Sequence, residues 1–372
     1  MPAAPAAPPN GSSGSALPAN DVDLAPIDAL LRRAFPGASR TGAWQAMPGG
    51  ASTRRYFRAP IAGAPVASVV GMFVPDGAKP EEISKSGGAA ARWPFLEVRD
   101  LLADRGVDVP AVHADDTASG WVLLEDLGDD TLAAFLAANP ARKQELYVAA
   151  VNGLARAQRA LASLPAGSVV AGRAFDEELV HWEVQHFREW ALDARGMALA
   201  PEDRALFDGI AQRMARRMAE SPRFFVHRDY QSRNLMVRRD GPAWRSLAWI
   251  DFQDALMGPR VYDLVALLND SYQTFDRAFV EARLDEYARE SGLDAAGRAE
   301  LGRDFDRVTV QRKLKDAGRF VFIDRVKKNP SFLKYVEPTI AKARKSLARL
   351  EDEKDMSALS QLLARVLDAG TA

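Results

Sequence analysis

The sequence predicts an α+β protein of two lobes, a small β-rich N-lobe and a mainly helical C-lobe. Between residues 43 and 127, short apolar runs are bounded by Gly and Pro, a pattern typical of strands. Beyond residue 130, the apolar residues recur mainly at helical spacing. Residues 224–252 are an exception, because their short apolar runs joined by polar loops indicate further strands within the helical lobe.

The chain begins with a segment whose composition does not support a core. Apart from Met1 and Leu17, residues 1–20 are all Ala, Pro, Gly, Ser or Asn, and they bury too little apolar surface to offset chain entropy. We therefore expect three parts: a disordered tail over residues 1–25, the N-lobe over 26–127 and the C-lobe over 128–372.

Periodicity places the main elements within these lobes. Continuous apolar runs predict strands at 66–74 and 121–125. Apolar residues at helical spacing predict helices over residues 24–35, 95–105, 146–161 and 340–350.

Composition excludes several classes of function. The 372 residues include 49 Lys+Arg and 50 Asp+Glu, so no overall field attracts nucleic acid or an anionic membrane. The chain has no Cys, which excludes disulfides and thiolate chemistry. The apolar stretch at 66–74 is too short to span a membrane, and the N-terminus lacks the pattern of a secretory signal. We expect a cytoplasmic protein without nucleic-acid or membrane partners.

Polar residues that suit phosphoryl transfer lie directly beside the apolar runs of 224–252. Asp229 and Asn234 belong to H-R-D-Y-Q-S-R-N, and Asp251 belongs to I-D-F-Q-D-A. In this chemistry one carboxylate accepts a hydroxyl proton, while an amide and a second carboxylate hold magnesium on the nucleotide phosphates. The order and spacing match the catalytic and metal-binding loops of kinases. The alternative is that these residues only cap loops.

Three blocks together resemble the aminoglycoside phosphotransferase and choline kinase-like superfamily: the two just quoted and G-P-R-V-Y-D-L-V-A-L-L-N-D after them. Four more blocks resemble the AmgK-type anomeric amino-sugar kinases within it: G-G-A-S-T-R-R-Y-F-R, G-V-D-V-P-A-V, L-L-E-D-L-G-D-D-T-L and Q-R-K-L-K-D-A-G-R-F. The resemblance covers residues 25–350 and implies a protein-kinase-like bilobal fold that uses ATP and Mg²⁺.

The resemblance also implies roles for individual residues. Asp229 is the expected general base, Asn234 and Asp251 are the expected magnesium ligands, and His227 and Asp263 are expected structural supports. The expected nucleotide-binding residues are Gly50, Ser52, Arg54, Arg55, Arg58, Glu125 and Leu127. Apart from the resemblance, we expect Glu177, Glu178, Arg233 and Asp254 to bind the substrate; for the two glutamates the alternative is an ordinary solvated helix face, and for Asp254 it is a supporting role beside magnesium.

The chain departs from the usual kinase pattern at one strand. S-V-V-G-M-F-V carries Met72 or a neighbour where kinases place a phosphate-binding lysine. We expect Arg54, Arg55 or Arg58 to supply that charge, because a guanidinium binds phosphate bidentately. The sequence leaves the choice among them open.

The resemblance predicts ATP-dependent phosphorylation of the C1 hydroxyl of N-acetylmuramate, N-acetylglucosamine or a related amino sugar in cell-wall sugar recycling. A small-molecule kinase of the aminoglycoside or choline type is the first alternative, because fold alone does not fix the acceptor. A nucleotide-binding pseudokinase is the second, and the missing strand lysine motivates it. The sequence leaves the exact sugar, its anomer and the oligomeric state open.

Overall fold

An antiparallel sheet and two helices build the N-lobe in this computed structural model, which describes residues 22–48, 53–75, 92–238, 247–271 and 273–369. Among these residues the sheet has six strands, with β2 paired to β3 and the others ordered β1-β3-β4-β6-β5. The strands are β1 Ser39–Arg40, β2 Gln45–Ala46, β3 Arg55–Ala62, β4 Ser68–Phe73, β5 Val112–Asp116 and β6 Trp121–Glu125. The helices are α1 Ala25–Ala34 and α2 Pro94–Asp104.

The two helices cover opposite faces of this sheet, because successive side chains of a strand point to opposite sides. Val69 of β4 packs in a cluster with Ile27 of α1, whereas Met72 packs in the main core with Val98 of α2. Gly71 allows the close approach of α1, since a Cβ there would lie 2.9 Å from Ile27. Met72 is fully buried.

Helices dominate the C-lobe, as the periodicity predicts. They are α3 Leu132–Ala138, α4 Lys143–Ala160, α5 Glu177–His186, α6 Pro201–Glu220, α7 Tyr262–Leu268, α8 Arg277–Glu290, α9 Ala295–Lys327, α10 Val336–Arg349 and α11 Lys354–Ala369. A π-helical turn, Phe187–Leu192, continues α5. Among the described residues, no helix is both long enough and apolar enough to cross a membrane.

Short strand pairs lie at the top of the C-lobe, next to the N-lobe. Strand β7 Arg223–Val226 pairs with β10 Leu256–Pro259, and β8 Leu235–Val237 pairs with β9 Leu247–Trp249. The turns that connect these strands contain the polar residues singled out above.

The structure confirms the α+β class and most of the predicted elements. Strand β6 has the predicted bounds, and α1, α2, α4 and α10 lie within about two to four residues of their predicted bounds. Strand β10 was not predicted. The proposed tail residues 1–21 and the expected phosphate-loop residues Gly50 and Ser52 lie outside the described residues.

Candidate active site

Asp263 anchors the loop that follows β7. Its carboxylate, fully buried on α7, accepts the backbone N–H of His227 at 2.6 Å and that of Arg228 at 3.0 Å. Burial raises the pKa of Asp263 to about 7, although both N–H groups and Arg312 oppose this rise. Arg228 has a φ of 81°, which is uncommon for a residue with a side chain. The anchor therefore holds a strained turn immediately before Asp229.

Asp229 is the third residue of this loop, Asn234 is the last, and the two residues contact each other. The Asn234 side-chain amide donates to the Asp229 carbonyl at 2.8 Å, and the Asn234 carbonyl accepts from Ile250 at 3.0 Å. The Asp229 side chain is 41% exposed, while its Oδ1 lies 3.6 Å from the buried guanidinium of Arg312. One carboxylate oxygen therefore faces a fixed cation, and the group remains accessible to a substrate.

Asp251 follows β9 and faces the same space. It has a φ of 64° and accepts a hydrogen bond from Gln253 at 2.9 Å. Partial desolvation raises the pKa of Asp251, and the negative charges of Asp229 and Asp254 raise it further. The pKa of Asp254 is raised by burial, and Asp229 contributes to that shift too. These mutual effects place Asp229, Asp251 and Asp254 in one electrostatically coupled cluster.

Arg54 is the candidate arginine that the structure brings to this cluster. Its guanidinium lies 3.5 Å from Asp251 Oδ1, and its side chain is only 12% exposed. It also interacts with Tyr56, which pairs in register with Met72 on β4. Arg54 thus places a positive charge beside Asp251, one of the two expected magnesium ligands.

Arg58 and Arg55 have other contacts. Arg58 lies 2.9 Å from both Asp126 and Asp129 in the loop after β6 and also donates to the Gly128 carbonyl. The Arg55 guanidinium lies 5.6 Å from the Phe57 ring centroid. Among the three arginines that the sequence left open, Arg58 therefore has its charge paired with an acidic loop, a pairing that the sequence did not indicate.

The chain passes from the N-lobe to the C-lobe after Glu125, the last residue of β6, and we call this connecting segment the crossing between the lobes. The Glu125 carboxylate contacts Arg238 at 2.5 Å and accepts the Ala111 N–H at 3.0 Å. Arg238, just after β8, also contacts Asp108 at 2.6 Å. The Glu125 side chain therefore fixes the crossing, and its backbone and that of Leu127 remain the expected nucleotide contacts.

Two predicted substrate residues, Glu177 and Glu178, lie in the first turn of α5. Glu177 accepts a hydrogen bond from Gln212 and lies 3.5 Å from Arg216, both on α6, while Glu178 is exposed. Glu177 therefore pairs with a neighbouring helix, and the substrate role of Glu178 stays a prediction. Arg233 is exposed in the loop between Asp229 and Asn234.

Sequence reasoning missed an acidic residue on the same helix that does reach the site. Glu183 is buried, lies 3.3 Å from Arg228 and accepts a hydrogen bond from Gln311 at 2.8 Å. Lys315 lies 3.8 Å from the same carboxylate. The only sequence signal for this network was the Q-R-K-L-K run at 311–315, which carried a resemblance but no assigned role.

The His227 ring lies behind the loop rather than in the open space. It is fully buried and makes edge contacts with the rings of Tyr230 and Trp249 at 5.7 and 5.6 Å. Burial lowers the pKa of His227 to about 4, so the imidazole is neutral at pH 7. This position suits a packing role and does not bring the ring to a substrate.

Residues 43–301 match the model of the phosphotransferase enzyme family. The chain belongs to this family. A Pseudomonas putida protein named N-acetylmuramate/N-acetylglucosamine kinase is 30% identical over 95% of this chain and 99% of its own length. A Pseudomonas aeruginosa protein of the same name is 34% identical over 69% of this chain and 75% of its own length. The family and its kinase-named relatives identify the chain as an enzyme.

Solved structures of low sequence identity show the same fold. The GDP complex of wild-type aminoglycoside 2'-phosphotransferase-IIIa superposes with a TM-score of 0.55 at 12% identity, over 87% of this chain and 98% of that one. A choline kinase from Streptococcus pneumoniae gives 0.55 at 15% identity, with the same coverage of each chain. The expected protein-kinase-like bilobal fold is confirmed.

Proposed function

We propose that this enzyme transfers the γ-phosphoryl group of ATP to the C1 hydroxyl of N-acetylmuramate, N-acetylglucosamine or a related amino sugar. The observation that carries the proposal is the accessible Asp229 carboxylate, held beside Asn234 and Asp251 by an anchored, strained loop. The amino-sugar acceptor follows the names of the relatives that span most of the chain. Because ATP is a cytoplasmic substrate, we place the reaction in the cytoplasm, where its product feeds cell-wall sugar recycling.

In this proposal ATP binds where the chain crosses between the lobes. The backbone of Glu125 and Leu127 contacts adenine, and the ion pairs of Glu125 with Arg238 keep this crossing rigid. Arg54 contacts the phosphates, since it is the nearly buried cation that faces Asp251. A guanidinium presents parallel donors to two phosphate oxygens, which a single strand lysine does not.

The donor set around Asp251 suits Mg²⁺, a cation that prefers oxygen ligands. Asp251 offers a carboxylate, and Asn234 offers its Oδ1, because its Nδ2 donates to the Asp229 carbonyl. Within the described ranges, no group of three or more His, Cys, Asp or Glu residues could hold a metal unaided. This matches an ion whose remaining ligands are nucleotide phosphates and water. Bound there, Mg²⁺ would neutralise charge on the β- and γ-phosphates.

Asp229 acts on the acceptor in the proposed reaction. Its exposed carboxylate oxygen accepts the C1 hydroxyl proton while the C1 oxygen forms a bond to the γ-phosphorus. The bond between that phosphorus and the β–γ bridging oxygen breaks, and ADP leaves with the bonding electrons. Arg54 counters the charge that develops on the phosphates.

The acceptor side of Asp229 suits a sugar that carries a carboxylate. On α9, Lys315, Arg319 and Phe322 follow Arg312 at intervals of three, four and three residues, so they share one stripe, in which Arg312 is buried and the other three are half-buried. The Arg319 guanidinium lies 5.1 Å from the Phe322 ring centroid, and Trp190 makes an edge contact with that ring at 5.1 Å. Aromatic rings pack on the apolar faces of sugars, and Arg319 is the proposed partner of the lactyl carboxylate of N-acetylmuramate.

The same stripe argues against a polycationic acceptor. An aminoglycoside site needs strongly negative potential, whereas Arg319 adds positive charge to this face and Lys315 lies 3.8 Å from the carboxylates of Glu183 and Asp316, which reduces their negative charge. The buried Glu183 is already paired with Arg228. A neutral or anionic acceptor therefore fits this face better.

An acceptor panel tests the proposal. ADP release is measured with N-acetylmuramate, N-acetylglucosamine, kanamycin and choline, using the wild type and Asp229→Asn. We expect turnover with the amino sugars only and a loss of about 10²- to 10⁴-fold in Asp229→Asn, with nucleotide binding retained. Turnover of kanamycin or choline alone would favour the alternative kinases. Nucleotide binding without any turnover would favour a protein that has lost the chemistry.

Arg319→Ala refines the test. We expect it to raise the KM for N-acetylmuramate by about tenfold and to leave the KM for N-acetylglucosamine within about twofold, since only the former carries a carboxylate. Equal effects on both sugars would contradict the assigned contact.

A further inference from the structure

We propose that Arg312 is a positioning residue that fixes the direction of the Asp229 carboxylate for proton transfer. This inference rests on the proposed role of Asp229 as the base. It assigns a role to Arg312, a residue of the Q-R-K-L-K run that has no nucleotide or acceptor contact in the proposed function.

A single guanidinium touches both residues that define the turn. Arg312 Nη1 donates to the Arg228 carbonyl at 2.9 Å, and Nη2 lies 3.6 Å from Asp229 Oδ1. Its central carbon lies 4.7 Å from the ring centroid of Tyr262, and the residue is 1% exposed. Such burial leaves Arg312 out of reach of a substrate, so it acts through Asp229.

The strained turn is thus held from both sides. Asp263 accepts the N–H groups of His227 and Arg228, and Arg312 binds the carbonyl that leads into Asp229. These contacts fix the peptide planes before and after Arg228, whose φ of 81° would otherwise relax. Without Arg312, the carbonyl of the peptide group between Arg228 and Asp229 loses its buried hydrogen-bond donor.

The charge of Arg312 is secure in this environment. Burial disfavours the cation, but attraction to the carboxylates of Asp316, Asp229 and Glu183 opposes it, and the pKa of Arg312 is raised. The ionisable groups around it include Glu183 on α5, Asp263 on α7, Arg228 in the loop, and Lys313 and Lys315 on α9. A permanently charged planar group suits a fixed positioning contact.

The test compares Arg312 with a matched buried arginine. Arg283 on α8 is 2% exposed, lies 4.8 Å from the Phe279 ring centroid and pairs with Glu286 at 2.6 Å. We expect Arg312→Gln to lower kcat about 10²-fold with both KM values within about threefold, because a small misplacement of a reacting group costs that much. Arg312→Lys should recover about tenfold of the loss, and Arg283→Gln should keep kcat within about twofold.

Other results would overturn the inference. A kcat for Arg312→Gln within threefold of wild type, with Asp229→Asn inactive, would show that positioning does not need Arg312. Equal kcat losses per folded molecule in Arg312→Gln and Arg283→Gln would show that the effect is general destabilisation. Arg312→Lys provides the comparison if Arg312→Gln folds poorly.

A double-mutant cycle separates this inference from the choice of acceptor. Denaturant midpoints are measured for the wild type, Arg312→Gln, Asp229→Asn and the double variant, without any substrate. We expect the midpoint loss caused by Arg312→Gln to shrink in the Asp229→Asn background, since the two side chains interact. Additive effects would overturn the contact. If the two substitutions are coupled in stability but the wild type phosphorylates no amino sugar, only the proposed function is refuted.

Discussion

Arg54 provides the sharpest test of how this enzyme holds nucleotide phosphates without a strand lysine. Both Arg54 and Arg58 belong to S-T-R-R-Y-F-R, yet only Arg54 faces Asp251. Arg58 is held by Asp126 and Asp129. Arg54→Ala should therefore impair nucleotide binding and turnover, and Arg58→Ala should mainly affect stability.

The size of the effect follows from the contacts. A guanidinium that makes two charge-assisted hydrogen bonds to phosphate contributes about 1.5 to 3 kcal/mol for each, or about 3 to 6 kcal/mol in total. Since about 1.4 kcal/mol is tenfold, Arg54→Ala should lower kcat/KM for ATP by about 10²- to 10⁴-fold. Arg54→Lys keeps the charge but not the paired donors, so a loss of about tenfold is expected. Arg58→Ala should cost about 1 to 2 kcal/mol of unfolding free energy, because it breaks partly exposed ion pairs.

Steady-state kinetics with varied ATP, calorimetric titration of the nucleotide and urea denaturation measure these quantities. The matched variant Arg58→Ala should keep its KM for ATP within about threefold of wild type. A larger loss of ATP affinity in Arg58→Ala than in Arg54→Ala would refute the assignment of Arg54.

Three further predictions concern the scaffold of the site. Asp263→Ala leaves two buried N–H groups without their acceptor and should lower kcat about 10²-fold in coupled assays. The control is Asp306→Ala, which removes a buried carboxylate paired with Arg277 on α8 and should lower stability while kcat stays normal. His227 has a pKa of about 4 in the folded protein against 6.5 for the free side chain, so the unfolded chain binds more protons between these values. His227 should therefore lower stability by up to about 3 kcal/mol as pH drops from 7 to 4, while the raised pKa of Asp263 acts in the opposite direction, so the His227 contribution is measured as the difference between wild type and His227→Gln in denaturation at both pH values. Arg238→Met removes the contacts to Glu125 and Asp108 and should raise the KM for ATP about three- to tenfold, and an unchanged KM would show that the crossing does not depend on them.

The elements and the proposed catalytic residues could be predicted because their signals are local. Strand β6 is a continuous apolar run, and α1 and α2 show helical spacing over their whole length. Asp229 and Asn234 lie within one loop of eight residues, so their spacing alone indicates the chemistry. The absence of the strand lysine can also be read from the sequence, because Met72 or a neighbour occupies that position.

The partners of these residues could not be predicted, because they depend on which faces meet in the fold. Glu177 and Glu183 are acidic residues of one helix, yet α6 contacts the first and the Arg228 side chain contacts the second. Arg312 comes from a helix far along the chain, and its contact with Asp229 has no local signal. Arg58 was one of three candidate phosphate ligands, and its sequence context did not indicate that it pairs with Asp126 and Asp129.

Phosphorus NMR of the reaction product tests the central claim most directly. The enzyme is incubated with Mg²⁺, ATP and N-acetylmuramate or N-acetylglucosamine, and in parallel with the methyl glycosides, whose C1 hydroxyl is blocked. We predict a sugar 1-phosphate signal from the free sugars, none from the methyl glycosides and none with Asp229→Asn. Phosphorylation of a methyl glycoside, or a free sugar phosphorylated at another hydroxyl, would contradict transfer to C1.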